Sequence, residues 1–160
     1  MAEVRFDKFG FALVRVWIGK KSGFKKEQLL YKVDTGANVT TISRDWLNQL
    51  GYDDNWIKTG RLLVGDERPS VATGEPVDNC YEVILPEIRI GIWTGPNWPF
   101  IVSLDKNIQF RLLFGTNSMR FFSWALDFER GVFRYEAIPN KRQSLFNGQE
   151  QSIHSIDNVV

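Results

Sequence analysis

Lys32-Val33-Asp34-Thr35-Gly36-Ala37-Asn38-Val39-Thr40-Thr41-Ile42 is the stretch that decides how this chain is read. Apolar residues lead into a carboxylate, a hydroxyl and a glycine, and Val39 and Ile42 resume the apolar pattern. An acid at a strand end, next to a residue that lets the backbone turn tightly, contributes little to stability. It does hold a carboxylate rigidly at the mouth of a cleft. Two readings of Asp34 follow: a functional acid, or a turn-forming Asx residue with Thr35 and Gly36 as ordinary turn partners.

Working outward, Phe11–Gly19 is β-branched and aromatic and ends in glycine, the signature of a strand. The lysine-rich stretch 20–26 is a solvated turn, and Leu29–Val33 is the strand that delivers Asp34. Ser43 is placed to cap a short helix over Arg44–Leu50, with Gly51 closing it. Leu62–Val64, Tyr81–Leu85, Glu87–Ile92, Phe100–Leu104 and Phe110–Phe114 read as further strands. Val71–Pro76 has the composition of a hairpin tip, and Ile92–Pro99 reads as a long aromatic loop. Asn117–Phe122 can form a helical turn or two. Trp124–Phe128 and Val132–Tyr135 face each other across Glu129-Arg130-Gly131, a hairpin signal that makes Asp127 a corner residue. About nine short strands with frequent turns predict an all-β sandwich or closed β-barrel with one or two short helices. One domain is expected over residues 1–138, with a polar C-terminal tail over 139–160.

Composition narrows the chemistry. The 160 residues include 43% hydrophobic and 14% aromatic side chains, enough for a packed core. Twenty basic and 19 acidic residues nearly cancel, so no global field recruits nucleic acid or an anionic membrane. Apolar runs fall short of a membrane helix, and the first residues lack the apolar core of a signal peptide. Lone Cys80 can form no internal disulfide, which points to a reducing cytoplasm; it is expected to be half-buried. One cysteine and one histidine, His154 in the polar tail, are too few for a structural zinc site or an imidazole-assisted nucleophile, so no metal or cofactor is expected. Carboxylates remain.

A second motif joins the first: Leu112-Leu113-Phe114-Gly115-Thr116-Asn117, followed by Trp124-Ala125-Leu126-Asp127-Phe128-Glu129-Arg130-Gly131. Together with Asp34-Thr35-Gly36-Ala37, over roughly residues 11–135, the chain resembles the retropepsin-like aspartic proteases, the single-domain branch of the aspartic peptidases. The resemblance implies that Asp34 is catalytic and that Thr35 and Gly36 support the catalytic loop. It implies that Leu113-Phe114-Gly115 packs under that loop, that Ala37 contacts substrate, and that Thr73 and Gly74 belong to a flap over it. No other aspartate in the chain is followed by Thr-Gly or Ser-Gly. A two-lobed enzyme is therefore excluded, and the second acid has to come from a homodimer partner. The implied activity is hydrolysis of peptide or protein substrates. The competing function is a catalytically silent module of the same fold that binds an extended peptide by main-chain pairing. The chain departs from the family pattern at Thr116-Asn117-Ser118-Met119, at Pro69 and Pro76 around the flap, and at the aromatic stretch 92–99.

Overall fold

The first strands read from composition are carried into the structure, a computed structural model that describes residues 2–23 and 25–138. In β2 (Leu13–Gly19), Val14, Val16 and Ile18 are buried while Arg15 and Trp17 lie outside. In β3 (Lys26–Val33), Leu29 and Tyr31 are buried. The two pair antiparallel, Leu13 opposite Lys32 through Gly19 opposite Lys26. Helix α1 (Arg44–Gln49) starts as expected: Ser43 Oγ accepts the Trp46 N–H at 3.2 Å, and Gly51 takes φ +93° just past the end. A second short helix, α2 (Asp54–Ile57), is capped by Asp53 through the Trp56 N–H at 2.8 Å; it was not foreseen.

Beyond the helices, β4 (Arg61–Leu62) pairs with β5 (Cys80–Ile90), and β5 pairs with β6 (Trp93–Ser103) in one register that skips only Pro86 and Asn97. The expected loop over Ile92–Pro99 is therefore a strand, joined to β5 by the tight turn Gly91-Ile92 with Gly91 at φ +60°. Its aromatics turn inward: Trp98 is buried and packs at 5.3 Å against Trp93. Cys80, expected half-buried, is fully buried in a small cluster with Leu63, Val77 and Ile101. Of Phe110–Phe114, only Leu113–Phe114 forms a regular strand, β7, and it runs parallel to β3.

Helix α3 (Thr116–Met119) brings the α-helices among the described residues to three, one more than expected. The hairpin β8 (Phe122–Asp127) and β9 (Val132–Ala137) forms as read, with Asp127 Oδ1 accepting the Arg130 N–H at 3.0 Å at its corner. An unforeseen strand, β1 (Ala2–Arg5), pairs with β9. The described strands thus form two sheets, β1-β9-β8 and β4-β5-β2-β3-β7 with β6 on β5. The second path is open, ending in the two-residue strands β4 and β7, so the expected closed barrel is not found among the described residues. A shared core joins the sheets, with Phe114, Phe122, Trp124, Phe133 and Tyr135 linked through successive ring contacts. The expected tail, with His154, lies outside the described residues.

Candidate active site

Asp34 stands one residue past β3 and continues its ladder. Lys32 N–H donates to the Leu112 carbonyl at 2.9 Å, and Asp34 N–H donates to the Phe114 carbonyl at 3.1 Å. The chain then curls back on the acid. Gly36 N–H donates to Asp34 Oδ1 at 2.9 Å, and Ala37 N–H donates to the Asp34 carbonyl at 3.2 Å. The Asx-type turn weighed from the sequence is therefore present. It commits one carboxylate oxygen and leaves the other without a protein donor among the described residues. Asp34 and Ala37 are half-buried, Thr35 and Gly36 exposed.

The loop is strapped to the second motif by main-chain and side-chain bonds. Thr116 N–H donates to the Ala37 carbonyl at 2.8 Å, and Thr41 N–H to the Leu113 carbonyl at 3.1 Å. Thr41 Oγ1 accepts the Leu113 N–H at 3.2 Å and donates to the Arg111 carbonyl. Gly115 lies directly beneath: a Cβ there would sit 2.2 Å from the Val39 carbonyl oxygen and 2.8 Å from the Val39 nitrogen. Only a glycine lets the two backbones approach this closely. The expected packing of Leu113-Phe114-Gly115 under the acid's loop is what the structure holds.

At the centre sits Thr40, 1% exposed. Its hydroxyl accepts the Gly115 N–H at 3.1 Å and donates to Asn117 Oδ1 at 2.9 Å. Ser118 Oγ lies 2.6 Å away, which fits donation to Thr40, and itself accepts the Trp98 indole N–H at 2.9 Å. Every buried group in this chain of bonds is satisfied, as a polar network in a core requires. Sequence reading missed Thr40, Asn117, Ser118 and Trp98 as site scaffolding. The available signal was the pair of polar steps, Thr40-Thr41 between Val39 and Ile42, and Thr116-Asn117-Ser118 between Gly115 and Met119.

Thr73 and Gly74 sit elsewhere, on the exposed tip of the hairpin that rises from β4 and β5. Gly74 N–H donates to the Val71 carbonyl at 2.8 Å, Val71 N–H to the Glu75 carbonyl at 2.9 Å, and Gly74 takes φ +87°. The hairpin's stalk is braced by ion pairs, Arg61 with Glu67 at 3.0 Å and with buried Glu82 at 3.5 Å. Around the core, burial pushes the Tyr31 hydroxyl well above its ordinary pKa and raises the Cys80 thiol to about 11. Burial also lowers Arg120, whose guanidinium rests 5.4 Å from the Phe121 ring. Among the described residues, no group of three or more His, Cys, Asp or Glu could hold a metal ion, and no helix is long and apolar enough to cross a membrane.

A mostly β chain whose acid-bearing corner is locked over a glycine from a distant strand has the make-up of an aspartic-protease-like fold. Among solved structures, a retropepsin-like aspartic protease from Rickettsia conorii superposes with a TM-score of 0.54, covering 83% of this chain and 98% of that one at 21% identity. The fold is therefore retropepsin-like. No protein-family profile and no curated protein sequence matches the chain.

Proposed function

We propose that this chain is an aspartic endopeptidase that works as a homodimer, with Asp34 of one protomer and Asp34 of its partner holding one water between them. One observation carries the reading: a half-buried carboxylate with one oxygen fixed by the Gly36 N–H and the other without a protein donor, on a loop locked from below by Gly115. Two such acids roughly 3 Å apart cannot both ionise, so they share a proton and titrate as a pair. The ionised acid takes a proton from the water, which attacks the scissile carbonyl carbon, while the protonated acid donates to the carbonyl oxygen. Collapse of the tetrahedral adduct breaks the C–N bond, and the amine leaves with a proton from the dyad. Thr35 and Gly36 hold the loop. Ala37 meets the substrate backbone from below, and Thr73 and Gly74 close over it from the hairpin tip, excluding water.

Residues 1–138 form the catalytic domain in this reading. The substrate is a peptide or protein segment, with neither nucleic acid nor membrane as partner, and buried Cys80 with its free thiol suits the reducing cytoplasm. The test is Asp34→Asn. The amide oxygen can still accept the Gly36 N–H, so fold and dimer should persist while cleavage of a mixed peptide pool, between about pH 4 and 7, disappears. Cleavage retained by that variant, or undiminished by dilution of the wild type into monomer, overturns the proposal. Peptide binding without turnover by the wild type would establish the silent module instead.

A further inference from the structure

The sheet face that carries Asp34 also carries Lys32 and, on the neighbouring strand segment, Arg111, and we infer that this face selects peptides with an acidic side chain within two residues of the scissile bond. The inference rests on the endopeptidase reading of Asp34. Side chains alternate along a strand, and partners in a ladder share a face. Asp34 continues the β3 ladder, so its side chain lies on the Lys32 face. Lys32 pairs in register with Leu113, which places Leu113 there too. Carbonyls along 111–114 point alternately: those of Arg111 and Leu113 accept from Thr41, and those of Leu112 and Phe114 accept from Lys32 and Asp34. That alternation is extended backbone, so Arg111 shares the Leu113 face. The opposite face turns inward, where Tyr31 and Phe114 are buried.

Some of the chain's basic residues are neutralised: Lys20 pairs with Glu27, Lys26 with Glu87 and Arg68 with Asp78. Lys32 and Arg111 have no carboxylate partner among the described residues. Lys32 is also held in place, its Nζ 4.1 Å from the centre of the Phe11 ring, and the Phe11 loop is tied to the strand by Val33 N–H donating to the Ala12 carbonyl at 2.9 Å. An ammonium already positioned loses less freedom when a ligand arrives. The charge logic follows from the dyad. A proton-sharing pair of acids keeps about one negative charge, which repels a substrate carboxylate nearby. Lys32, two residues and roughly 7 Å along the strand from Asp34, reverses that repulsion for an extended peptide with the same side-chain spacing.

Mass-spectrometric mapping of cuts in a mixed peptide pool, followed by matched Glu and Gln peptides, tests this. Cuts should cluster within two residues of Asp or Glu, and the Glu peptide should show a kcat/KM about fivefold higher per cation, the scale of a part-exposed ion pair. The advantage should shrink at high salt and vanish in the Lys32→Gln, Arg111→Gln double variant. Equal cutting of Glu and Gln peptides by the wild type, or a preference that survives in the double variant, overturns the inference. If the wild type cuts no peptide, the endopeptidase reading fails, and the inference is judged by fluorescence anisotropy with Asp34→Asn protein. Tighter binding of the Glu peptide, lost with Lys32→Gln, sustains it; equal affinity ends it.

Discussion

Replacing Gly115 with alanine tests the physical basis of the site most directly. The added Cβ would lie 2.2 Å from the Val39 carbonyl oxygen and 2.5 Å from its carbon. Non-bonded carbon and oxygen approach no closer than about 3.3 Å, so the two segments must part by about 1 Å. Both contacted atoms are backbone, and no side-chain rotation relieves the clash. The separation breaks Gly115 N–H to Thr40 Oγ1, at 3.1 Å, and strains Thr116 N–H to the Ala37 carbonyl, at 2.8 Å. Two hydrogen bonds at about 1 kcal/mol each, with about 1–3 kcal/mol for the overpacked contact, give a loss of about 3–5 kcal/mol. At roughly 2–4 °C per kcal/mol, the midpoint of thermal unfolding should fall by roughly 10 °C. Gly131→Ala is the comparison: Gly131 takes φ +63° with nothing within 4 Å of the added methyl, so its cost is backbone strain alone, about 1–2 kcal/mol. Urea and thermal unfolding followed by circular dichroism read both variants. If Gly115→Ala costs no more than Gly131→Ala, the close approach under the Asp34 loop is not what stabilises it.

Thr40→Val keeps shape but orphans the Gly115 N–H and unseats the Asn117 and Ser118 side chains; a loss of about 2–4 kcal/mol in urea unfolding is expected, and one below about 1 kcal/mol would show the network to be dispensable. Gly36→Ala places a methyl 3.2 Å from Asp34 Oδ1, so it should leave stability within about 1 kcal/mol while lowering kcat, with KM little changed. The Arg44 guanidinium, donating to Asp54 Oδ1 at 2.9 Å, holds the Asp54 carboxyl below its ordinary value. A lowered folded pKa means a stabilisation present above the ordinary Asp range and lost as pH falls through the folded value; NMR titration should find the Asp54 midpoint low, and Arg44→Ala should raise it. Cys80 has the opposite sign. With its thiol pushed up to about 11 by burial, its contribution is whole below the ordinary thiol range and is lost as pH rises toward that value. Stability should therefore decline above about pH 9, and Cys80→Ala should flatten that slope.

What the chain declares locally came through. The β-branched and aromatic strands around 13–19 and 29–33, the Ser43 cap with Gly51 behind helix α1, and the hairpin closing at Glu129-Arg130-Gly131 each depend on residues within a few positions of one another. The turn at Asp34 is equally local, because Gly36 N–H reaches back only two residues. The errors have one cause. Pro96 and Pro99 made 92–99 look like a loop, yet the β5 register carries that stretch through as strand β6. Phe110–Phe114 looked like a full strand, but its outer residues bond to Thr41 and Lys32 side by side, and only two residues reach regular pairing.

Non-local partnering accounts for the remainder. Thr40 meets Asn117 and Ser118 across more than seventy residues of sequence, and Trp98 joins them from β6. Nothing in the spacing of those residues announces the meeting. Lys32, Arg111 and Asp34 come to one face because β3 and β7 run parallel in a specific register, and a slip of one residue would send Lys32 and Leu113 to opposite faces. Periodicity and capping are written in neighbouring residues, so composition and order suffice to read them. The shared face and the buried hydroxyl network exist only once hydrogen bonding between distant strands has chosen its register.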